Sequence, residues 1–190
     1  MNTGQMLLVL GALLLLGMVT LAVNKMLVNK TTTMLEAEAS LNAISLAQSM
    51  IDEIMTKSYD LATAPGSSGP KDSGPKVYDS TAFTAPASLG PSNAEVSAVP
   101  RPEPPDTAVA YKSVAGYNDV DDYNNYTRKA YTTLMGTFTL TDTVYYVSEF
   151  DPNSKSDKQT FHKKVVVTVR HPNMPRPLQL SDIAVYRTYF

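Results

Sequence analysis

Five oxygen-bearing side chains lie close together in the sequence, at Asn118, Asp119, Asp121, Asp122 and Asn124. Calcium takes about six to eight oxygen ligands from carboxylates, amides and carbonyls, so residues of this type and spacing could bind it. The segment lacks the central glycine and the final glutamate of an EF-hand loop. Capping, turn formation and solvation explain the same residues. We therefore carry two hypotheses, a structural role and a calcium site formed by Asp119, Asp121 and Asp122.

The chain contains no recognisable catalytic motif and no basic surface pattern. His162 and His171 lie nine residues apart on one predicted strand, which places them on opposite faces and roughly 30 Å apart. There is no cysteine, no GxSxG motif and no phosphate-binding glycine loop. The formal net charge is −2, whereas nucleic-acid binding requires a basic stripe. We expect no enzymatic activity, no cofactor other than calcium and no nucleic-acid partner.

Two short sequences match the acceptor pattern for N-glycosylation. Asn125 begins an Asn-Tyr-Thr sequence, and Asn29 begins an Asn-Lys-Thr sequence. Asn29 falls within a predicted helix, whereas Asn125 falls in an expected exposed loop. Asn125 is therefore the glycosylation candidate.

The most extensive feature of the chain is an uncharged apolar segment at 6–23, MLLVLGALLLLGMVTLAV. As a helix it would be roughly 27 Å long, close to the thickness of the hydrocarbon core of a bilayer. A secretory signal peptide would have a basic start, a shorter apolar core and a small-residue cleavage site, and residues 1–5 carry no charged side chain. The segment is expected either to cross a membrane or to pack among copies of itself.

A second helical pattern follows, with no Gly or Pro between positions 33 and 58. Apolar residues recur there at spacings of three and four and predict one stripe, formed by Met34, Ala37, Leu41, Ile44, Ala47, Ile51 and Ile54. The acidic residues between them are expected on a solvated face, at Glu36, Glu38, Asp52 and Glu53. Together the two patterns predict one helix over about 3–58, roughly 80 Å long and weakest at the three β-branched residues 31–33.

The rest of the chain divides into a loop region and a β-rich head. Residues 60–110 contain nine of the thirteen prolines, so this stretch cannot form its own core and is expected to lie over the head or to be a mobile surface segment. Within 111–190, β-branched and aromatic residues predict three antiparallel strands, at 137–150, 161–171 and 178–190. We expect an α+β fold, in which a long N-terminal helix at 1–59 packs against a small antiparallel sheet.

The order of these parts resembles the type IV pilins and the pseudopilins of type II secretion. Their stalk, with an Ala-Gln pair before an acidic turn and a Tyr-Asp end, is similar to LNAISLAQSMIDEIMTKSYD at 41–60. The segment before the final sheet of many minor pilin-like proteins is similar to YNDVDDYNNY at 117–126. Their last two strands are similar to HKKVVVTVRHP and LQLSDIAVYRTY. The resemblance covers about half of the chain, and it is the order of the motifs that is specific.

The N-terminus departs from the family pattern at one position. Pilins usually begin with Phe or Met after a basic leader that ends in Gly, and they usually carry Glu at the fifth mature position, which here is Gln5. Gln has nearly the shape of Glu and accepts a hydrogen bond, but it supplies no charge. Met1 is either the mature N-terminal residue or the initiator. Alternatively, Gly4 is the last residue of a very short leader, and Gln5 is the first residue of the mature chain.

The resemblance implies a structural function. The chain would be the subunit of an extracellular type IV pilus-like filament, N-terminally methylated and held in the cytoplasmic (inner) membrane before assembly. Its partners would be further copies in a helical homopolymer, membrane lipid and the pilus or secretion assembly machinery. The residues expected in the filament core are Met1, Gln5, Leu7, Leu10, Leu14, Leu15 and Val19. The alternatives are a minor pseudopilin of a secretion or pilus machine and a plain membrane-anchored domain.

Overall fold

The computed structural model describes residues 2–65, 71–92, 95 and 111–187. In these ranges one long helix, α1 (Thr3–Met55), precedes a four-stranded antiparallel sheet, and a short helix, α2 (Lys112–Gly116), lies between them. Single 3-10 turns lie in the connections, at Leu61–Thr63, Ser80–Ala82, Pro86–Ser88 and Asp121–Tyr123. The predicted α+β fold, with a long N-terminal helix and a small antiparallel sheet, is confirmed.

Helix α1 runs without interruption from the apolar segment into the part that carries the head. Its 53 residues extend roughly 80 Å, and it ends three residues before the predicted position 58. The stretch predicted to be weakest is helical, and each threonine hydroxyl donates to the carbonyl four residues earlier. These bonds measure 2.9 Å for Thr31, 3.1 Å for Thr32 and 3.0 Å for Thr33. The helix therefore satisfies these polar side chains internally.

The head covers only the C-terminal part of α1. The buried residues of the helix are Ala39, Ala43, Ala47, Met50, Ile51 and Ile54. Alanines four residues apart lie on one face of the helix, and the buried residues continue toward its C-terminus with Met50, Ile51 and Ile54. The predicted apolar stripe is therefore wrong in its N-terminal half. Its last three members are buried, whereas Met34, Ala37, Leu41 and Ile44 are exposed.

The sheet is a meander in which each strand pairs with the next one along the chain. Its strands are β1 (Thr127–Thr132), β2 (Gly136–Tyr146), β3 (His162–Arg170) and β4 (Leu178–Val185). Along β3 the side chains of Val165, Val167 and Val169 are fully buried, while the residues between them are partly exposed. This alternation follows the sequence prediction. Strands β3 and β4 contact α1, so one face of the sheet covers the stalk as expected.

Strand β1 was not predicted from the sequence, which indicated three strands rather than four. Its sequence, TRKAYT, is mostly polar, and the two side chains that it buries are Arg128 and Ala130. The strand therefore carries a weak alternation signal. Its hairpin with β2 closes at Gly136, whose φ of +82° is a backbone conformation that glycine adopts without steric cost. Strands β3 and β4 lie within the predicted stretches, whereas β2 begins one residue before its predicted stretch. All three strands are shorter than predicted.

Part of the proline-rich region lies on the head. Of residues 60–110 the structure describes 60–65, 71–92 and 95, so the remainder of that prediction lies outside the described residues. Phe83 is buried, and its ring lies 4.9, 5.6 and 5.5 Å from the rings of Tyr59, Phe161 and Tyr186. The described part of the loop therefore extends the core that α1 and the sheet begin.

Candidate assembly surface

The residues of the apolar segment at 6–23 are exposed, except for the half-buried Gly11. An 18-residue window of α1 has a mean hydropathy of 2.7, and none of it is buried by the other described residues. By length and composition the helix could cross a membrane. The aliphatic side chains predicted for the filament core are 51–71% exposed, namely Leu7, Leu10, Leu14, Leu15 and Val19.

The polar end of this surface lies in the first turn of α1. Gln5 is exposed there, and its backbone N–H donates to the Asn2 carbonyl at 2.9 Å. Met1, which is also predicted in the filament core, lies outside the described residues. The surface formed by 5–23 thus begins with an uncharged amide and continues with aliphatic side chains.

A second exposed apolar surface follows on the same helix. We call it the stalk stripe, and it consists of Met34, Ala37, Leu41 and Ile44. Met34 is 63%, Leu41 69% and Ile44 46% exposed. At 100° of rotation per residue, this stripe lies roughly 140° around the helix from the buried alanines. The stalk stripe therefore faces away from the head.

An ion pair between α1 and β1 holds the head on the helix. Arg128 donates to both carboxylate oxygens of Glu53, each at 2.7 Å. The hydroxyls of Ser113 and Tyr123 donate to the same carboxylate at 3.1 and 2.8 Å, and the Tyr111 ring lies 4.1 Å from the guanidinium. Burial would raise the pKa of Glu53, but hydrogen bonding and the charge of Arg128 hold that pKa below its usual value. The prediction that Glu53 lies on a solvated face is wrong, because its partner comes from a strand distant in sequence.

A lysine and two aspartates form a second buried ionic cluster, which we call the Lys163 cluster. The Lys163 Nζ lies 2.8 Å from Asp60 Oδ2 and 2.5 Å from Asp121 Oδ1, and it also donates to the Tyr59 carbonyl at 2.8 Å. The three charged side chains are 0%, 1% and 3% exposed. Burial opposes ionisation of Asp60, but Lys163 outweighs it and holds the Asp60 pKa below its usual value. The cluster ties the end of the stalk, the 3-10 turn before β1, and β3 together.

The structure brings the three candidate calcium ligands together, but it uses them as backbone caps and in the Lys163 cluster. Asp119 Oδ1 accepts the backbone N–H groups of Asp121 and Asp122, at 3.0 and 3.2 Å. Asp122 Oδ2 accepts those of Asn118 and Asp119, at 2.9 and 3.2 Å. Burial and the two neighbouring carboxylates raise the pKa of Asp119. Across the described residues, no three His, Cys, Asp or Glu side chains form a metal-binding group, and calcium binding stays a prediction.

The glycosylation candidate Asn125 is exposed and has a φ of +62°, a left-handed conformation that Asn tolerates better than most residues. Its backbone N–H donates to the Asp142 carbonyl at 3.0 Å, which fixes the turn into β1. An exposed turn is where an acceptor asparagine is expected. Glycosylation at this position stays a prediction.

Asp142 of β2 is an unusual residue at the inner face of the sheet. Its side chain is fully buried, and neither carboxylate oxygen has a hydrogen-bond partner among the residues that the structure describes. Burial raises its pKa to about 8, although the nearby charge of Arg128 opposes the shift. Asp142 therefore keeps its proton at neutral pH in the folded chain.

Sequence reasoning did not identify Glu53, Arg128, Lys163 and Asp60 as interacting residues. A signal for Lys163 was present, because it lies at even spacing from Val165 and Val167 and must therefore point to the same buried face. A lysine at such a position requires an acidic partner. That partner could not be identified from the sequence, because Asp60 and Asp121 are distant from Lys163 along the chain.

Comparison with known proteins identifies no relative of this chain. No family model, no curated protein and no solved structure matches the chain. Its likeness to pilins therefore consists of the sequence motifs described above and of an architecture compatible with them, a long apolar N-terminal helix with a small antiparallel sheet.

Proposed function

We propose that this chain is the structural subunit of an extracellular type IV pilus-like filament and polymerises through the apolar half of α1. The observation that carries the proposal is the complete exposure of an 18-residue apolar window on a helix that the head covers only further along. Burying apolar surface contributes about 25 cal/mol per Å². Such a surface therefore requires a nonaqueous environment.

Two environments satisfy this requirement, and the apolar segment would occupy one before assembly and the other after it. In a bilayer, a helix satisfies its backbone hydrogen bonds internally and presents its aliphatic side chains to lipid. In a filament, the same side chains would pack against those of neighbouring copies, with the heads outside them. The apolar segment stays buried throughout, so assembly exchanges one apolar environment for another.

The way the head is attached supports the proposal. A helical homopolymer requires every copy to have the same shape, and the Glu53–Arg128 pair and the Lys163 cluster fix the head to the stalk at two buried points. The stalk stripe offers a further apolar surface, turned away from the subunit's own head. Its position on α1 suits contact with a second copy beside the filament core.

The proposal assigns partners and a location to the chain. The partners are other copies of the chain, membrane lipid before assembly, and a pilus or secretion assembly machinery. The location is the cytoplasmic membrane before assembly and the cell surface afterwards. No catalytic step is assigned.

The proposal is tested by the substitution Leu14→Asp, which places a charge in the exposed apolar window. We expect it to abolish filaments in electron micrographs of material sheared from cells that express the chain. The matched control is Leu134→Asp, on a head side chain that is 84% exposed, which should leave filaments in place. Normal filament yield from Leu14→Asp would contradict the proposal.

Mass spectrometry of the sheared material decides between a major and a minor subunit. A filament composed mainly of this chain supports the proposal. A few copies per filament would favour a minor pseudopilin, and recovery in the membrane fraction alone would favour an anchored domain. The N-terminal peptide would also identify the first residue and any methylation.

A further inference from the structure

The Lys163 cluster places an amine against a carboxyl group in the interior of the head. The Nζ atom of Lys163 lies 2.5 Å from Asp121 Oδ1, and the two side chains are 0% and 3% exposed. The rings of Tyr59 and Tyr146 lie 4.5 and 5.2 Å from the same nitrogen. Aromatic rings and protein backbone thus surround the pair, and little bulk water reaches it.

This arrangement meets the geometric requirement for forming an amide bond. Groups held in contact react as if present at very high concentration, because the entropic cost of bringing them together has already been met by folding. A buried site also favours loss of water, since the released water molecule leaves the interior for bulk solvent. A neutral amide requires much less solvation than two buried charges.

We propose that Lys163 and Asp121 form an intramolecular isopeptide bond in the mature protein. The bond forms between the Lys163 Nζ and the Asp121 Cγ, and the bond between Cγ and one carboxyl oxygen breaks. Two protons leave the ammonium group and join the departing oxygen as water. The ammonium and the carboxylate thus become one amide and one water molecule, with no oxidant, reductant or activating group.

Asp60 is the proton carrier of this step. Its Oδ2 atom lies 2.8 Å from the Lys163 Nζ, so it can take a proton from the ammonium group, which frees the nitrogen lone pair for attack, and then pass that proton to the departing oxygen. The Asp60 Cγ is less suited than the Asp121 Cγ to be attacked by the Lys163 nitrogen. The two Asp60 oxygens accept hydrogen bonds from Ala62, Thr84 and Tyr146 in addition to Lys163, and these donors stabilise the unreacted carboxylate.

The Asp121 carboxyl group has a different environment. Its Oδ1 atom makes the shorter contact with the Lys163 Nζ, 2.5 Å against 2.8 Å for Asp60 Oδ2. Among the described residues, no backbone N–H or hydroxyl donates to its side chain as those of Ala62, Thr84 and Tyr146 donate to Asp60. Asp121 is therefore the electrophile and Asp60 the carrier.

The crosslink would provide a covalent constraint that the chain otherwise lacks. The chain contains no cysteine and hence no disulfide. A bond between positions 121 and 163 would join the turn before β1 to β3 and close a loop of 42 residues. As with a disulfide, such a closure restricts the unfolded chain. This inference does not depend on the proposed filament function.

Intact-mass spectrometry of the full chain tests the proposal. The folded chain is purified in detergent and kept until its mass no longer changes, and it is then denatured for the measurement. We expect the wild-type chain to weigh one water molecule less than its sequence, corrected for the N-terminus found in the same sample. We also expect one branched peptide that contains both Asp121 and Lys163. A full, unreacted mass would overturn the proposal, and a branch at Asp60 would overturn the assignment to Asp121.

Three variants sharpen the assignment. Lys163→Arg keeps the charge but should show no loss of water. Lys164→Arg, at the neighbouring, outward-facing lysine, should still lose one water and controls for the substitution. Asp121→Asn should release ammonia instead of water, because the departing group is then an amide nitrogen. Loss of water from Asp121→Asn would show that another carboxyl group reacts and would overturn the assignment.

Discussion

Glu53 on α1 and Arg128 on β1 face each other through two parallel hydrogen bonds of 2.7 Å. The pair connects the long helix to the first strand of the sheet, and its side chains are 15% and 8% exposed. Bidentate pairs of this kind fix direction as well as distance. The orientation of the head on the stalk therefore depends on this contact.

Removing Arg128 should destabilise the head. In Arg128→Met the Glu53 carboxylate remains largely buried without its partner, and breaking a buried ion pair costs about 3 kcal/mol. We expect a loss of that size in the free energy of unfolding, measured by urea denaturation of the full chain in detergent. The control is Lys129→Met, at the exposed neighbouring position, which should change stability by less than about 0.5 kcal/mol. Equal effects of the two substitutions would contradict this role for Arg128.

Asp142 should make the stability of the head depend on pH. The folded chain keeps the Asp142 proton up to pH about 8, whereas the unfolded chain loses it near the ordinary value of 3.8. The unfolded state therefore binds fewer protons between these values, and the folded state loses stability as pH rises through this range. The Asn side chain of Asp142→Asn cannot ionise. As pH rises through this range, the free energy of unfolding of this variant should therefore increase relative to that of the wild type, by up to about 1.4 kcal/mol per pH unit.

Thermal denaturation of the two chains at about pH 5 and pH 8 measures this difference. Asp182→Asn, on an exposed position of β4, controls for the loss of one negative charge. Parallel pH curves for the wild type and Asp142→Asn would show that Asp142 does not carry the effect.

Gly74 should not tolerate a side chain. A Cβ atom at this position would lie 2.5 Å from the carbonyl oxygens of both Thr63 and Ala64, and backbone atoms cannot move aside cheaply. We expect Gly74→Ala to lower the free energy of unfolding by about 1 to 3 kcal/mol, the usual cost of overpacking. Gly116→Ala is the matched control, because no other described part of the chain lies within 4 Å of its added Cβ. A Gly74→Ala chain as stable as Gly116→Ala would contradict the close packing seen here.

The stalk stripe should matter for assembly but not for the stability of one subunit. Leu41 and Ile44 are exposed on the side of α1 turned away from the head, so replacing both with Ser should change the free energy of unfolding by less than about 1 kcal/mol. If the stripe contacts a second copy, the same double variant should yield few or no filaments in electron micrographs. Leu61→Ser, at an exposed leucine of the head, should keep normal yield. Normal filaments from the double variant would show that the stalk stripe is not part of the proposed interface.

Local features of the sequence determined the fold class. The uncharged segment at 6–23 and the pattern that follows it predicted one long helix, because helix formation depends on residues within one or two turns of each other. The alternating valines of β3 predicted a sheet with one buried face for a similar reason, since neighbouring side chains on a strand point to opposite faces. Each of these signals can be read from a short window of sequence.

Only the tertiary structure decided which helix face is buried and which charges pair. The large residues Leu41 and Ile44 were predicted in the same stripe as Ile51, but the buried residues beside them are the small Ala39, Ala43 and Ala47. Which face is buried depends on where the head packs, and the head consists of residues distant in sequence. Glu53 has the same local pattern as its exposed neighbour Asp52, yet it is paired with Arg128, 75 residues away. Lys163 likewise meets Asp60 and Asp121 only after folding. Such contacts depend on which distant segments become neighbours, and no short window of sequence contains that information.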